Sequence, residues 1–397
     1  MIRLSERLTH ISPSETLVMS QKSTDLTSRG IQVINLSVGE PDFPTPEHIK
    51  EAAKKAIDEN FSYYSPVAGF ADLRKAICEK LFEENGLHYL PQQIVVSNGA
   101  KQSIWNALLS LINEGDEVII PAPYWVSYPE MVKLAGGNPV YIKTSLESDF
   151  KISAQELERT ITPKTKALIL CSPSNPTGSV YQKEELAKLA EVLEKHSHVF
   201  ILSDEIYEHI HYSGNHESIA QFQSLNNRTI IINGVSKAYA MTGWRIGWIA
   251  APEKIASACV LLQSQQTSGA SSISQKAALA AYKGGLYCVK EMREAFERRR
   301  NTVVSLLKDI PGLNVSNPMG AFYVFPQCNS FFGKSYNGKT ICSSSDLAMY
   351  LLEEAHVACV GGDAFGAPDY LRFSYATSDE NLLKAMQWIK TALAKLE

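Results

Sequence analysis

ALILCSPSNPTGSVYQKEELAKLAEVLEKHSHVFILSDEIYEHI, residues 167–210, reads as strand, loop, helix, strand and loop. Ala167–Leu170 and Val199–Leu202 are short runs with no polar alternation. Strands apolar on both faces belong to sheets covered on both sides, and those sheets are mostly parallel. Between them, Lys183–Lys195 carries Leu186, Leu189, Ala190 and Leu193 at helical spacing. A strand, a crossover helix and a second parallel strand make the unit of α/β folds. Outward from this unit the texture repeats. Ile94–Val96, Glu117–Ile120, Pro139–Ile142, Thr229–Ile232 and Arg245–Ile249 are further candidate strands, and Lys101–Ile112 and Tyr128–Leu134 candidate helices. The expected fold class is α/β, with a mostly parallel seven-stranded sheet between helices.

Beyond about residue 290 the pattern changes. Glu291–Lys308 reads as one long helix whose arginines form a solvated face. A strand at Ala321–Phe325, a helix at Ser345–Ala355, a strand around Tyr370–Ser374 and a helix at Glu380–Leu396 follow. This is expected to be a smaller α/β domain of residues 293–397, with segment 1–46 docked on it, beside a large domain of residues 47–292.

The 397 residues are 45% hydrophobic and 20% charged, with net charge −4. That composition excludes a disordered chain, a collagen-like repeat and a small disulfide scaffold. No basic field points to nucleic acid. No apolar run approaches the ~18–20 residues of a membrane helix, and MIRLSERLTHISPSET lacks the apolar centre of a secretory signal. Seven cysteines, an odd number without CxxC spacing, fit reduced thiols in a cytoplasmic protein. No metal site is expected. His209 and His211 alternate as on a strand and read as structural.

In open α/β sheets, ligands bind beyond the carboxyl ends of the strands. The segments there are SNGAK (97–101), PAPYW (121–125), SPSNPTG (172–178), DEIY (204–207) and GVSK (234–237). GVSKA lacks the closing glycine of a GxSxG nucleophile turn. No GxxxxGK[ST] or GxGxxG offers a nucleotide cradle. A lysine with a carboxylate, aromatic rings and a glycine-opened helix start points instead to a carbonyl cofactor bearing a phosphate, pyridoxal 5′-phosphate.

Eight stretches carry a resemblance along the whole chain: VGEPDFPTPEHI (38–49), YYSPVAG (63–69), SNGAKQ (97–102), PAPYWVSYPEM (121–131), SPSNPTG (172–178), SDEIYEHI (203–210), SKAYAMTGWRIGW (236–248) and YLRFSYATSDENL (370–382). On them the chain resembles the fold type I, pyridoxal-phosphate-dependent aminotransferases of the aspartate aminotransferase family, in the bacterial subgroup I-beta. The resemblance implies ping-pong transfer of the amino group from L-aspartate to 2-oxoglutarate, giving oxaloacetate and L-glutamate. It makes Lys237 the lysine that condenses with the cofactor aldehyde and then carries a proton. Arg245, with the amides of Gly99, Ala100 and Lys101, would hold the phosphate. Ser236 would add a hydroxyl. Asp204 would pair with the ring nitrogen, Tyr207 and Asn175 would bond the ring oxygen, and Trp125 would stack on the ring. Arg372 and the backbone of Gly39 would grip the substrate α-carboxylate, beside Trp125 and Asn175. Tyr64 would reach the phosphate of a partner subunit, making a homodimer with the site at the interface; the alternative is a packed aromatic.

For the distal carboxylate the resemblance offers Lys101 with Ser14 and Thr16. The two hydroxyls read equally well as helix caps. The family's phosphate serine, three residues before the lysine, is Gly234 here. Residues 329–340 match no family motif and read as a mobile loop over the site or as plain surface. Alternatives to aspartate transfer are prephenate or aromatic aminotransfer, and a lyase or synthase on the same fold.

Overall fold

The computed structural model describes residues 4–397. Seven strands form the central sheet: β1 (Ile94–Ser97), β2 (Glu117–Ala122), β3 (Asn138–Lys143), β4 (Thr165–Cys171), β5 (Phe200–Asp204), β6 (Thr229–Gly234) and β7 (Gly247–Ala250). Their spatial order is β1-β7-β6-β5-β4-β2-β3. β7 runs antiparallel between β1 and β6, and all other neighbours are parallel. Because side chains alternate along a strand, each strand feeds two cores. Ile119, Leu168, Leu170 and Ile201 pack with the helix Lys183–Lys195 on one face. Val118, Ile120, Ala167, Ile169 and Leu202 pack with the helix Ala100–Leu111 on the other. All these strand residues are buried, which is why the sequence shows no polar alternation there.

The 22-residue helix Tyr287–Lys308 leads into a second core. There β8 (Tyr323–Val324), β9 (Val360–Gly361) and β10 (Leu371–Ser374) form an antiparallel sheet with β10 in the centre. Ile34–Asn35 pairs in parallel with Val357–Ala358, tying the N-terminal segment to this body.

Three readings of the sequence change. The arginines of the long helix are not all solvated: Arg299 and Arg300 are buried. Arg299 forks onto both oxygens of Asp42, at 2.7 and 3.0 Å. Arg300 donates to the Pro318 carbonyl and lies over the Tyr212 ring. A helix face rich in charge solvates only where nothing packs on it, and here segment 42–43 does. His209 and His211 lie past the end of β5, in a turn and an isolated bridge to Gly320, not along a strand. Residues 329–340 are no loop over the site. Ser335–Tyr336 and Lys339–Thr340 make a hairpin, Phe331 is buried in the second core, and Ser335 exchanges backbone hydrogen bonds with Glu397. Among the described residues, no helix is long and apolar enough to cross a membrane.

Candidate active site

The parallel strands end on one edge of the sheet, and their following loops converge there. β7 runs the other way, so its amino end, and Arg245 just before it, reach the same edge. Gly247 at that end pairs with Gly234 on one side and Ser97 on the other. A cavity of about 520 Å³ opens at this edge, closed from the other side by Gly39, Tyr323 and Arg372.

One end of the cavity is built for an anion. Gly99, at φ +81°, caps the helix Ala100–Leu111, whose first amides have no partner within the helix. Arg245 takes a left-handed backbone at φ +59°. Its guanidinium donates to the carbonyls of Thr242 at 2.9 Å and Asn98 at 3.3 Å. It lies so close to Gly99 that a Cβ there would land on it. A Cβ on Gly247 would likewise meet the Ala100 amide. The two glycines therefore let a helix N-terminus and an arginine share one spot, which suits a phosphate. A Cβ at Gly234 would stand 2.7 Å from Gly247 Cα and from the Ile246 carbonyl oxygen, so this packing leaves no room for a serine. Ser236 is buried and lines the cavity.

At the centre, Asp204 ends β5 and is buried. Its donors are both neutral: Tyr128 Oη at 2.6 Å and the Ile206 amide at 3.2 Å. Burial pushes its carboxyl up to about 6. A cationic ring nitrogen would supply the charge that this carboxylate lacks. Lys237 Nζ donates to the Gly39 carbonyl at 2.6 Å. Burial, with Arg245 and Arg372 nearby, brings its ammonium down to about 8. Tyr207 Oη lies 2.8 Å from Tyr323 Oη. Arg372 donates to Asn175 Oδ1 at 2.9 Å and to the Ser37 carbonyl, and its buried Nε has no partner. Trp125, half-buried, lines the cavity and stands edge-on to Tyr128, with ring centres 5.4 Å apart. An anion cradle, an amine, a buried carboxylate and a second arginine together fit pyridoxal phosphate and an amino-acid carboxylate.

Lys101 sits with its ammonium 4.9 Å from the Trp125 ring centre, at the cavity mouth with Ser14 and Thr16. Ser14 occupies the N-cap of the helix Glu15–Ser28, yet its side chain makes no capping bond. Gly99 is not on the cavity wall but backs Arg245. Tyr64 is away from the cavity and 96% exposed. Tyr128, Tyr323 and Ser37 were not legible as site residues. Tyr128 lies inside PAPYWVSYPEM, three residues after Trp125, and that helical offset was the available signal. Tyr323 comes from the second core and Ser37 from the N-terminal segment docked on it, and no local pattern marks them.

Elsewhere, Glu84, Glu208 and His209 bring their ligand atoms within 4.8 Å of one another. The Lys80 ammonium already pairs with Glu208 and stands 3.7 Å from Glu84. Burial alone would raise the Glu208 carboxyl, but Lys80 and two histidines hold it well below the usual range.

A family model described as aminotransferase class I and II matches residues 31–389. A bifunctional aspartate aminotransferase and glutamate/aspartate-prephenate aminotransferase of Petunia hybrida is 49% identical over 402 residues, covering 100% of this chain and 84% of that protein. An aspartate/prephenate aminotransferase of Cereibacter sphaeroides is 48% identical, covering 99% of each. Among solved structures, an aspartate aminotransferase from Rhizobium meliloti superposes with TM-score 0.96 at 45% identity, over 100% of both chains. The Thermus thermophilus aspartate aminotransferase with maleate gives 0.93 at 40% identity, over 99% of this chain and 100% of that one.

Proposed function

The chain belongs to the aminotransferase class I and II family, and we infer that it is an aspartate aminotransferase. Its cofactor is pyridoxal 5′-phosphate, and its substrates are an amino acid and a 2-oxo acid. The observation that carries the residue assignment is the meeting of Lys237, Asp204, Arg245 and Arg372 around one cavity.

When bound, the cofactor supplies an electron sink for the bond broken at the substrate α-carbon. Arg245 and the helix start at Ala100 hold its phosphate. Asp204, fixed by Tyr128 and the Ile206 amide, holds the proton on the ring nitrogen. Arg372, fixed by Asn175 and Ser37, binds the α-carboxylate with the backbone of Gly39, and so orients the Cα–H bond. Lys237, its ammonium depressed, would be the neutral amine that takes that proton and holds it at Nζ. Lys101, Ser14 and Thr16 receive the distal carboxylate. The Thermus structure carries maleate, a dicarboxylate, which supports a dicarboxylate substrate.

Prephenate as a second amino acceptor is favoured by the names of the Petunia and Cereibacter relatives and by the apolar Leu17 and Ile104 on the cavity wall. We assign residues 47–292 to a large domain, and 1–46 with 293–397 to a small one, residues 1–3 lying outside those described; the pairing of Ile34–Asn35 with Val357–Ala358 supports this. The assembly is a homodimer in which Tyr64 reaches the partner's phosphate. The exposure of Tyr63 (82%) and Tyr64 (96%) on one chain supports that. Seven free thiols support a cytoplasmic location.

The test is the absorbance spectrum of the purified protein, with L-aspartate added before any 2-oxo acid. Aspartate should convert the cofactor's yellow band, and 2-oxoglutarate or prephenate should restore it. No band with added pyridoxal phosphate would sink the Lys237 assignment. A band converted only by aromatic amino acids would sink the role of Lys101.

A further inference from the structure

We propose that Tyr323 is a positioning residue that serves both halves of the site: its hydroxyl directs the Tyr207 hydroxyl into the cavity, and its ring carries the Arg372 guanidinium. The proposal rests on the reading of the cavity as a pyridoxal phosphate site.

Tyr207 follows β5 and Tyr323 opens β8, 116 residues apart, and their hydroxyl oxygens lie 2.8 Å from each other. Both side chains are buried, with rings edge-on at 5.8 Å. Each phenol owns one hydrogen, so only one of the two can donate across the pair. Tyr323 has the Arg372 guanidinium on its ring face, 4.6 Å from the ring centre. That group has donors only and offers its hydroxyl no acceptor. The same hydroxyl fills the space that a side chain at position 39 would take, since a Cβ on Gly39 would land on it. Tyr207 is therefore the acceptor within reach, and a Tyr323 that donates to it leaves the Tyr207 hydrogen free for an oxygen in the cavity. Accepting one hydrogen bond makes a hydroxyl a better donor of the next.

The ring does separate work. Phe365 takes the Arg372 guanidinium from another side, at 4.9 Å, so two aromatic faces and the Asn175 and Ser37 oxygens set its plane. One residue thus adjusts the donor facing the cofactor ring and the fork facing the substrate carboxylate.

The experiment uses holoenzyme of wild type, Tyr323→Phe, Tyr323→Leu, Tyr207→Phe and the double Tyr207→Phe/Tyr323→Phe. The readouts are the pH midpoint of the bound cofactor's absorbance change and the KM for L-aspartate. Tyr323→Phe keeps the ring and should raise the midpoint by about 0.4–1.1 pH unit, the worth of one neutral hydrogen bond, with KM within about twofold of wild type. Tyr207→Phe should raise it further, and the double variant should match Tyr207→Phe alone. Tyr323→Leu should show the midpoint of Tyr323→Phe and also a KM raised about 3–10-fold, because the ring face is gone. An unmoved midpoint in Tyr323→Phe, or a double variant with the sum of both shifts, overturns the hydroxyl role. An unmoved KM in Tyr323→Leu overturns the ring role. A wild type that binds no pyridoxal phosphate overturns the underlying reading instead. If Tyr323→Leu fails to fold, the Tyr207→Phe background still decides the hydroxyl role, and Tyr323→Met, which also lacks the ring face, takes its place with the same KM expectation for the ring role.

Discussion

Lys237 Nζ donates to the Gly39 carbonyl oxygen at 2.6 Å, across 198 residues of sequence. The lysine follows β6, while the carbonyl belongs to the N-terminal segment that joins the second core. Burial, with Arg245 and Arg372 nearby, brings the ammonium down to about 8 despite this bond, which by itself favours the charged form.

An amine so placed is neutral above pH 8 and charged below it. Uptake of pyridoxal phosphate by the apoprotein should therefore rise about tenfold per pH unit up to pH 8, then level off. An ordinary lysine would keep accelerating to about 10.5. Stopped-flow absorbance from pH 6 to 10 checks this. Lys237→Ala should lower kcat by at least about 10⁴-fold.

Asp204 is a strain on the apoprotein. Its folded carboxyl stands at about 6 against an ordinary 3.8, so the folded state keeps a proton that the unfolded chain releases. That contribution to stability is complete below about pH 4 and is lost as pH rises through 6. The two-unit gap corresponds to up to about 3 kcal/mol. Apo Asp204→Asn should melt above wild type at pH 8 and level with it near pH 4, by calorimetry. In the holoenzyme the same change should cost about 10²–10³-fold in kcat, because the partner of the ring nitrogen has lost its charge.

Lys101 separates two classes of substrate. A charge-assisted hydrogen bond to a distal carboxylate is worth about 1.5–3 kcal/mol. Lys101→Ala should thus lower kcat/KM for L-aspartate about 10–100-fold and change that for L-alanine less than about threefold. Equal losses for both donors would mean that Lys101 serves the phosphate and not the substrate.

Gly234 is a packing requirement. Gly234→Ser sets a Cβ 2.7 Å from the Gly247 backbone, which must move. We expect a loss of about 1–3 kcal/mol in denaturant unfolding, with no gain in cofactor affinity. Tighter binding would show that the strand pair yields easily and that the added hydroxyl finds the phosphate.

The α/β class, the strand positions of the large sheet and the segments at its carboxyl edge were legible in the sequence. Each is written in a local signal: doubly apolar runs such as Ile230–Ile232, helical spacing in Lys183–Lys195, and Gly–Lys punctuation after a strand. Local signals end where partners come from far along the chain. The burial of Arg299 and Arg300 depends on Asp42 and Pro318 arriving at that helix face, and a charged stripe reads the same whether or not they do. The pairing of Tyr128 with Asp204 spans 76 residues, and that of Tyr207 with Tyr323 spans 116. A buried phenol looks like any core aromatic until the fold shows which polar atom it meets. By itself the sequence determined the periodicities that make the sheet and the residue types at its edge. Only the tertiary structure decided which side chains close the cavity over Lys237, because burial, and the charge shifts that follow from it, are set by contacts between distant segments.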